Sequence, residues 1–77
     1  MAVGFVLITT HPGAEVSVRE AVSKIEHVSG QWIVFGLHDL FVKVEADDEV
    51  ELTKCVVQEI RSNEGIADTR TLIGAEI

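Results

Sequence analysis

Apolar and β-branched residues run continuously from Val3 to Thr10 at the start of the chain. Such a run predicts a strand that is buried on both faces, because a half-exposed strand would alternate with polar residues. His11-Pro12-Gly13 then ends the strand. Successive side chains of a strand point to opposite faces, so one face carries Val3, Phe5 and Leu7, and the other carries Val6 and Ile8. Both faces of this strand are therefore apolar.

Two later segments have the residue spacing of amphipathic helices. The first spans Ala14 to Glu26, with the apolar positions Val18, Ala21, Val22 and Ile25 set against the polar positions Arg19, Glu20, Ser23 and Lys24. The second begins at Asp48, which can cap it, and Glu51 follows three residues on, as in a capping box. The apolar stripe of this second helix is Leu52, Cys55, Val56 and Ile60. We expect Gly65 to end the helical region.

Three more strands are predicted over Gly30 to Phe35, Leu40 to Glu45 and Ala67 to Ile73. The resulting order, βαββαβ, predicts an α+β fold of the ferredoxin-like type, a four-stranded antiparallel sheet with two helices on one face. The other face of the sheet is then apolar but uncovered. An exposed apolar sheet face on a soluble chain indicates association, so we expect a homo-oligomer in which sheets pack on each other.

Composition and charge narrow the functional classes. The 77 residues form one domain at most, residues 1–77, with a formal net charge of −7 and scattered Lys and Arg residues. Nucleic-acid binding needs a basic surface, so direct binding to DNA or RNA is not expected. No signal peptide or membrane span is recognisable. The single Cys excludes an intramolecular disulfide and fits a cytoplasmic location.

The segment Gly36-Leu37-His38-Asp39 predicts a tight turn between the second and third strands, because Gly permits positive φ and Asp bonds nearby backbone N–H groups. The spacing alone favours a purely structural turn. The alternative is a turn whose N–H groups and Asp39 carboxylate bind a zwitterionic ligand.

The last strand also allows two interpretations. Thr69 and Thr71 point to one side of this strand and Arg70 to the other. Threonine is common in strands, and polar residues keep an exposed edge strand soluble. The first interpretation is therefore purely structural. Alternatively, the paired hydroxyls bind an amino or carboxylate group near a subunit boundary.

Residues that ligate metals or act as nucleophiles form no recognisable set in the sequence. His11, His27 and His38 fit no zinc-site spacing, and Cys55 lies on the apolar stripe of the second helix. No Gly-rich phosphate loop and no nucleophile elbow is present. We therefore expect no metal, no cofactor and no enzymatic activity.

Four groups of residues, taken in order, resemble a known family. They are Ala2 to Thr10 with Pro12-Gly13, Phe35 to Val44, Ala46-Asp47-Asp48 with Leu52, and Gly65-Ile66 with Thr69 to Ile73. Nearly the whole chain is similar to the effector-binding domain of the Lrp/AsnC transcriptional regulators. The resemblance implies a ferredoxin-like fold of the dimeric α/β-barrel type. It also implies dimers with sheets packed face to face, assembly into octamers or similar rings, and amino-acid effectors bound between dimers.

The resemblance further implies which residues contact the effector. In that family a G-x-x-D turn between the second and third strands lines the site, which corresponds here to Gly36 and Asp39, with Leu37 and His38 between them. The threonine-rich last strand contributes too, which corresponds to Thr69, Arg70 and Thr71. Family members usually carry an N-terminal helix-turn-helix domain, and nothing of that kind precedes the first strand here. The resemblance is thus to a stand-alone effector domain or a fragment, and co-assembly with full-length relatives would link it to transcription.

Two other kinds of protein share this strand order. A small dimeric α/β-barrel enzyme would need polar groups inside the sheet cavity, whereas these strands supply mostly Val, Ile, Leu and Phe. An amino-acid-binding module of the ACT type shares the fold and the ligand class, but pairs its sheets edge to edge. We expect a non-enzymatic, amino-acid-binding oligomer linked to transcriptional control.

Overall fold

The computed structural model describes residues 1–74, which form a four-stranded sheet with two helical segments. The elements in chain order are β1 (Ala2–Thr10), α1 (Glu15–Ser23), β2 (Val28–Ile33), β3 (Leu40–Ala46), α2 (Glu49–Lys54), which continues as a π-helical segment (Cys55–Ile60), and β4 (Ile66–Ile73). The strand order in the sheet is β2-β3-β1-β4, and every neighbouring pair is antiparallel. The predicted ferredoxin-like fold is confirmed.

Side chains of β1 alternate strictly between buried and part-exposed positions. The buried positions include Val6 and Ile8, which face both helices and have no solvent-exposed surface. Directly paired residues share a face, so the partners Val42 and Leu40 of β3 belong to the same core. The helices close this core with Val18, Val22, Leu52, Cys55, Val56 and Ile60.

Helix α1 ends at Ser23, so the prediction that it reaches Glu26 is wrong at the C-terminal end. The chain tightens there, because the N–H of Lys24 donates to Ala21 O at 3.2 Å and the N–H of Ile25 donates to Val22 O at 3.1 Å. Bonds to the third preceding residue are typical of a final helical turn. Ile25 still packs against the core, which explains why the apolar spacing extends beyond the helix.

The second helix begins as predicted and ends earlier than predicted. The Asp48 carboxylate accepts a hydrogen bond from the N–H of Glu51 at 2.8 Å, which is the expected N-cap. The π-helical segment ends at Ile60, and the N–H of Arg61 donates to Val56 O at 2.8 Å. Gly65 lies after this helix and just before β4, where a Cβ atom would stand 2.6 Å from Val18 Cγ2. A close approach to α1, rather than a helix end, therefore accounts for this glycine.

Strand β2 is displaced toward the N-terminus relative to the predicted range Gly30 to Phe35. A register shift between Val28 and Gly30 adds residues at its start, and the last pair with β3 is Ile33 with Leu40. Phe35 leaves the sheet and is 97% exposed. Strands β1, β3 and β4 differ from their predicted ranges by one residue at one end, a scale on which strand ends commonly vary.

The face of the sheet opposite the helices has an apolar surface, as predicted. Phe41 lies at its centre, with its ring centroid 5.2 Å from that of Phe5 and 5.9 Å from that of Trp32. Leu7 lies directly across from Phe41, and Leu72 of β4 lies across from Phe5. We call this surface the open face; its apolar members are Val3, Phe5, Leu7, Trp32, Phe41 and Leu72.

Polar residues on the open face lie around this apolar group. Lys43 and Glu45 of β3 form an ion pair at 3.9 Å, and Arg70 and Asp68 lie on β4 opposite Leu7 and Thr9. No helix among residues 1–74 is long and apolar enough to cross a membrane.

Candidate functional site

The turn that joins β2 to β3 is closed by main-chain hydrogen bonds. The N–H of Val34 donates to Asp39 O at 3.0 Å, and the N–H of Asp39 donates across to Ile8 O of β1 at 2.8 Å. Gly36 has φ of +133°, a conformation that residues with a Cβ atom rarely adopt. The glycine is therefore required by the turn itself.

Asp39 ties this turn to the end of β1. Its Oδ2 atom accepts hydrogen bonds from the Thr10 N–H at 2.8 Å and from the Thr10 hydroxyl at 3.1 Å. Thr10 is the buried polar residue of the core, so these bonds satisfy groups that lie away from water. Within residues 1–74, no hydrogen bond reaches the Oδ1 atom of Asp39. One carboxylate oxygen is thus structural, and the other is available to a ligand.

Leu37 and His38 contact β1 from the other side of the turn. The Thr9 hydroxyl donates to Leu37 O at 3.2 Å and lies 3.1 Å from His38 Nδ1. The Leu37 side chain makes little contact with its own chain, because it is 91% exposed. His38 therefore positions the turn, whereas Leu37 presents an apolar side chain to the surroundings.

A cavity of about 230 Å³ lies between the start of α1 and the β2–β3 turn. Its apolar wall comes from both elements and consists of Val16, Ile33, Val34, Phe35 and Leu40. Three charged residues complete the lining, namely Glu15, Arg19 and Asp39. We call this cavity the turn pocket. It combines an apolar surface with charges of both signs.

Arg19 is held in place through its backbone and not through its side chain. The Gln31 side-chain amide donates to Arg19 O at 3.1 Å, which joins α1 to β2. None of the carboxylates among residues 1–74 lies within 4.0 Å of the Arg19 guanidinium, since the ion pairs there are His27 with Glu51 and Lys43 with Glu45. The Arg19 side chain thus has no ion-pair partner among residues 1–74, and Arg19 is one of the residues that line the turn pocket.

The predicted site residues of β4 lie apart from the turn within one chain. Ile8 pairs with Leu40 on one side and with Thr69 on the other, which separates Leu40 from Thr69 by two strand spacings, roughly 10 Å. Thr71 lines a depression against α2 with Leu52 and Val56. Arg70 projects from the opposite side of the sheet, on the open face. The structure brings Gly36, Leu37, His38 and Asp39 together, and places Thr69, Arg70 and Thr71 elsewhere.

Residues of α1 in the turn pocket are absent from the sequence-based prediction. Val16 carried the available signal: it is an exposed apolar residue that lies outside the stripe formed by Val18, Val22 and Ile25. Glu15 and Arg19 are four residues apart, so they lie on one side of the helix. Helical spacing alone attributes such residues to a solvated face, and only the packing of α1 beside the turn shows that they border a cavity.

Candidate metal ligands and nucleophiles were considered among residues 1–74, the part of the chain that the structure describes. No three His, Cys, Asp or Glu side chains within residues 1–74 come close enough to share a metal ion. Burial raises the pKa of the Cys55 thiol from 9.0 to about 12, and a hydrogen bond to Glu59 and the charge of that residue add to the effect. Cys55 is thus a protonated core residue, since only the thiolate is a strong nucleophile.

A protein-family model described as the Lrp/AsnC ligand binding domain matches residues 3–76. The chain belongs to this family. The resemblance to the Lrp/AsnC effector domain is thereby confirmed.

Relatives of this Lrp/AsnC domain include longer proteins. An uncharacterized HTH-type transcriptional regulator of Pyrococcus abyssi is 32% identical over 71 residues, which cover 92% of this chain and 45% of that protein. The chain therefore spans about half the length of the curated relatives it matches.

Two solved structures show how well the fold is preserved. FFRP-DM1 has a TM-score of 0.93 and 33% identity, with 97% of this chain and 100% of that chain covered. A transcriptional regulator of Neisseria meningitidis, solved as a complex with L-Met, has a TM-score of 0.88 and 16% identity, with 97% of this chain and 50% of that chain covered. At that identity the likeness establishes the fold alone.

Proposed function

We propose that this Lrp/AsnC domain binds an amino acid in the turn pocket and passes the binding event to a transcriptional regulator through its state of assembly. The observation that carries the proposal is the turn pocket, where Arg19, Asp39 and an apolar wall border one small cavity. The family membership and the L-Met complex of the Neisseria meningitidis regulator support the same ligand class.

An amino acid matches this set of groups in both charge and size. Its carboxylate complements the Arg19 guanidinium, and its ammonium complements the free Oδ1 atom of Asp39. The cavity of about 230 Å³ lies below the usual range for drug-sized ligands, roughly 300–1,000 Å³, so it suits a small metabolite. The protein then acts by binding and not by catalysis.

Assembly of several copies completes the proposal. The open face is a contiguous apolar surface on a small acidic domain, and we expect two copies to bury it face to face. Phe35 and Leu37 flank the turn and are almost fully exposed, which suits contact with a neighbouring dimer in a ring such as an octamer. The predicted ligand residues Thr69, Arg70 and Thr71 reach the turn pocket, in this proposal, only from such a neighbour.

In this proposal the ligand acts on transcription by changing the relative populations of the assembly states. A ligand at a boundary between dimers favours the assembly that binds it more tightly, and its effect equals its differential affinity for the two states. DNA recognition would belong to the helix-turn-helix portion of a regulator, in the same polypeptide or in a co-assembled relative. This role suits a cytoplasmic protein.

Calorimetric titration with each of the twenty amino acids tests the proposal, because the heat of binding is detected whichever amino acid is the ligand. Sedimentation velocity with and without the best ligand then reports any change in assembly. We expect saturable binding of at least one amino acid and a ligand-dependent shift in oligomer size. A folded oligomer that binds none of the twenty contradicts the proposed function.

The alternative ACT-type function is tested by the geometry of the dimer. Such a module pairs sheets edge to edge through β2 or β4, so its contacts would leave Phe41 and Leu7 exposed. Face-to-face packing instead buries both residues. Fluorescence quenching of a variant with Phe41→Trp and Trp32→Phe, measured above and below the dissociation concentration, distinguishes the two arrangements because residue 41 lies on the inner strand β3 at the centre of the open face.

A further inference from the structure

We propose that the outer side of α2 is a second contact surface between copies of this chain, against which the α2 helix of another copy packs in parallel. Helix α2 belongs to the helical layer that covers one face of the sheet, so this surface lies on the other side of the domain from the open face. The inference goes beyond the proposed function, because the contact requires no ligand.

A shallow groove of about 500 Å³ runs along the outer side of α2 and of the π-helical segment that continues it. Leu52 and Ile60 of this helix are buried in the core, whereas Val50 is 73% exposed and Val57 is 47% exposed. The helix therefore has a second apolar stripe, which the core does not use. We call this surface the α2 groove; its lining consists of Glu49, Val50, Thr53, Lys54, Val57 and Gln58.

The spacing of the residues in the α2 groove is that of a seam between two packed helices. Val50, Thr53 and Val57 follow one another at intervals of three and four residues, with Glu49 just before the first of them. In a parallel pair of helices, a residue that flanks the seam meets the residue five positions further along the other helix. Glu49 then faces Lys54 of the second copy, and the two-fold symmetry of the contact repeats this pair.

The charges in the α2 groove favour a parallel second copy over an antiparallel one. In an antiparallel contact the row formed by Val50, Lys54 and Gln58 meets the same row reversed, so the two Lys54 ammonium groups face each other. In a parallel contact each Lys54 meets a Glu49 carboxylate instead. Within residues 1–74, neither Glu49 nor Lys54 has an ion-pair partner of its own within 4.0 Å.

The charge balance also identifies the occupant as a second copy. Each chain has a net charge of −7, so copies repel one another unless opposite charges meet where they touch. The lining of the α2 groove has one acidic and one basic residue, so a symmetric contact pairs both of them. A strongly acidic or strongly basic partner would instead place one of these two residues against a like charge.

The contact is expected to be weaker than the open-face dimer. Its seam covers about two helical turns, whereas a standard interface contains roughly 20–30 residues on each side. An open-face dimer carries one α2 groove in each chain, so the contact joins dimers to one another. We therefore expect dimers to associate further, and reversibly, as the protein concentration rises.

Reversal of the two charges, separately and together, tests the contact. Glu49→Lys places two pairs of Lys side chains in the contact, and Lys54→Glu places two pairs of Glu side chains there. Each variant alone should raise the dissociation constant between dimers at least about tenfold, because like charges replace opposite ones. A 1:1 mixture of the two variants restores opposite charges at both positions and should return the constant to within about threefold of wild type. Sedimentation velocity over a concentration series measures the constants.

Matched controls are Glu64→Lys and Lys24→Glu, which make the same changes of charge at exposed positions outside the α2 groove. Each should leave the constant within about twofold of wild type. A mixture of the Glu49 and Lys54 variants that associates no better than either alone overturns the proposal. Controls that weaken association as much as the groove variants overturn it as well, and so do wild-type dimers that fail to associate at about 1 mM.

Val50→Cys tests the parallel orientation, because a parallel two-fold contact places position 50 opposite itself, within the roughly 4.4–6.8 Å between Cα atoms that a disulfide spans. The native Cys55 is buried, so the added cysteine is the accessible thiol. Mild oxidation at about pH 8 should link Val50→Cys chains into covalent pairs. Glu20→Cys, at an exposed position on α1, should form few such pairs. Circular dichroism checks that both variants are folded, and a folded Val50→Cys protein that forms no more pairs than Glu20→Cys overturns the parallel contact.

Discussion

Asp39 and Thr10 are joined by two hydrogen bonds to one carboxylate oxygen, at 2.8 Å from the Thr10 N–H and 3.1 Å from its hydroxyl. These two hydrogen bonds connect the β2–β3 turn to Thr10, the last residue of β1. The same aspartate that borders the turn pocket therefore also maintains its shape. Loss of binding in an Asp39 variant consequently has two possible origins, and stability must be measured beside affinity.

Asp39→Ala should lower the free energy of unfolding by about 1–3 kcal/mol, because it leaves the buried Thr10 N–H and hydroxyl without an acceptor. Thr10→Val removes only the hydroxyl bond and should cost about 0.5–1.5 kcal/mol. Urea unfolding measures both. Asp47→Ala is the control, since that exposed residue should change stability by less than about 0.5 kcal/mol. Equal stability of Asp39→Ala and the control would show that the tie is not structural.

Gly36→Ala tests the backbone requirement of the turn without a steric clash. A Cβ atom added at Gly36 meets nothing within 4 Å, so the cost arises from the φ of +133° alone. We expect a loss of about 1–3 kcal/mol in the free energy of unfolding. Leu37→Ala, at the adjacent exposed position, should have little effect on stability. A Gly36→Ala protein as stable as wild type would mean that the turn relaxes to another conformation.

Phe41→Glu should convert the proposed dimer into monomers, because it places a charge at the centre of the open face beside Phe5 and Trp32. Leu72→Glu, at the β4 end of the same face, should weaken the dimer without disturbing the aromatic contacts. Sedimentation velocity gives the oligomeric state, and circular dichroism checks the sheet. Val50→Glu is the matched control, since Val50 is an exposed apolar residue on α2. Dimers that persist in both open-face variants contradict face-to-face assembly.

Local patterns were sufficient to predict the fold. The apolar run of β1 and the helical spacing of Val18 and Val22 can each be recognised within a few consecutive residues, and their buried members meet in one core. The Asp48 cap and the Gly36 turn depend on residues only a few positions away. Features of this kind are encoded within a short window, so they can be predicted before the tertiary packing is determined.

Features that depend on residues far apart in the chain were not predictable. Helix α1 ends before Ile25 because the chain turns toward β2, although Ile25 itself remains apolar and packed. The link between Asp39 and Thr10 spans 29 positions and depends on the pairing of β1 with β3. Arg19 borders the turn pocket because α1 packs beside β2, where the Gln31 amide donates to Arg19 O. Whether Thr69, Arg70 and Thr71 contact a ligand stays a prediction, because one chain does not place them at the turn.

Asp48→Ala should lower the free energy of unfolding by about 0.5–2 kcal/mol, because the Glu51 N–H loses its capping acceptor. Asp48→Ser should recover most of the loss, since serine is also a good cap. The Glu51 side chain contacts His27 Nε2 at 3.2 Å rather than the Asp48 backbone, so Glu51→Gln should leave the cap itself intact. Urea unfolding of the three variants measures these differences. A loss in Asp48→Ser as large as in Asp48→Ala would contradict a capping role.

The raised pKa of Cys55 predicts a loss of stability at alkaline pH. Burial, with the hydrogen bond and charge of Glu59, raises the thiol pKa from 9.0 to about 12 in the folded state. The folded chain therefore holds this proton more tightly than the unfolded chain, and the difference favours folding fully only below about pH 9. As the pH rises from about 9 toward 12, the unfolded thiol ionises first and this contribution is lost.

Urea unfolding at about pH 8 and about pH 10.5 measures the effect, with Cys55→Ala as the comparison. The alanine variant should be less stable at about pH 8 because it leaves a small cavity, but its stability should fall less between the two pH values. The difference between the two slopes isolates the thiol, since every other titrating group is shared. Native wild-type protein should also react slowly with a thiol reagent at about pH 8, because little thiolate is present. Parallel pH dependence of the two proteins would show that Cys55 ionises alike in the folded and unfolded states.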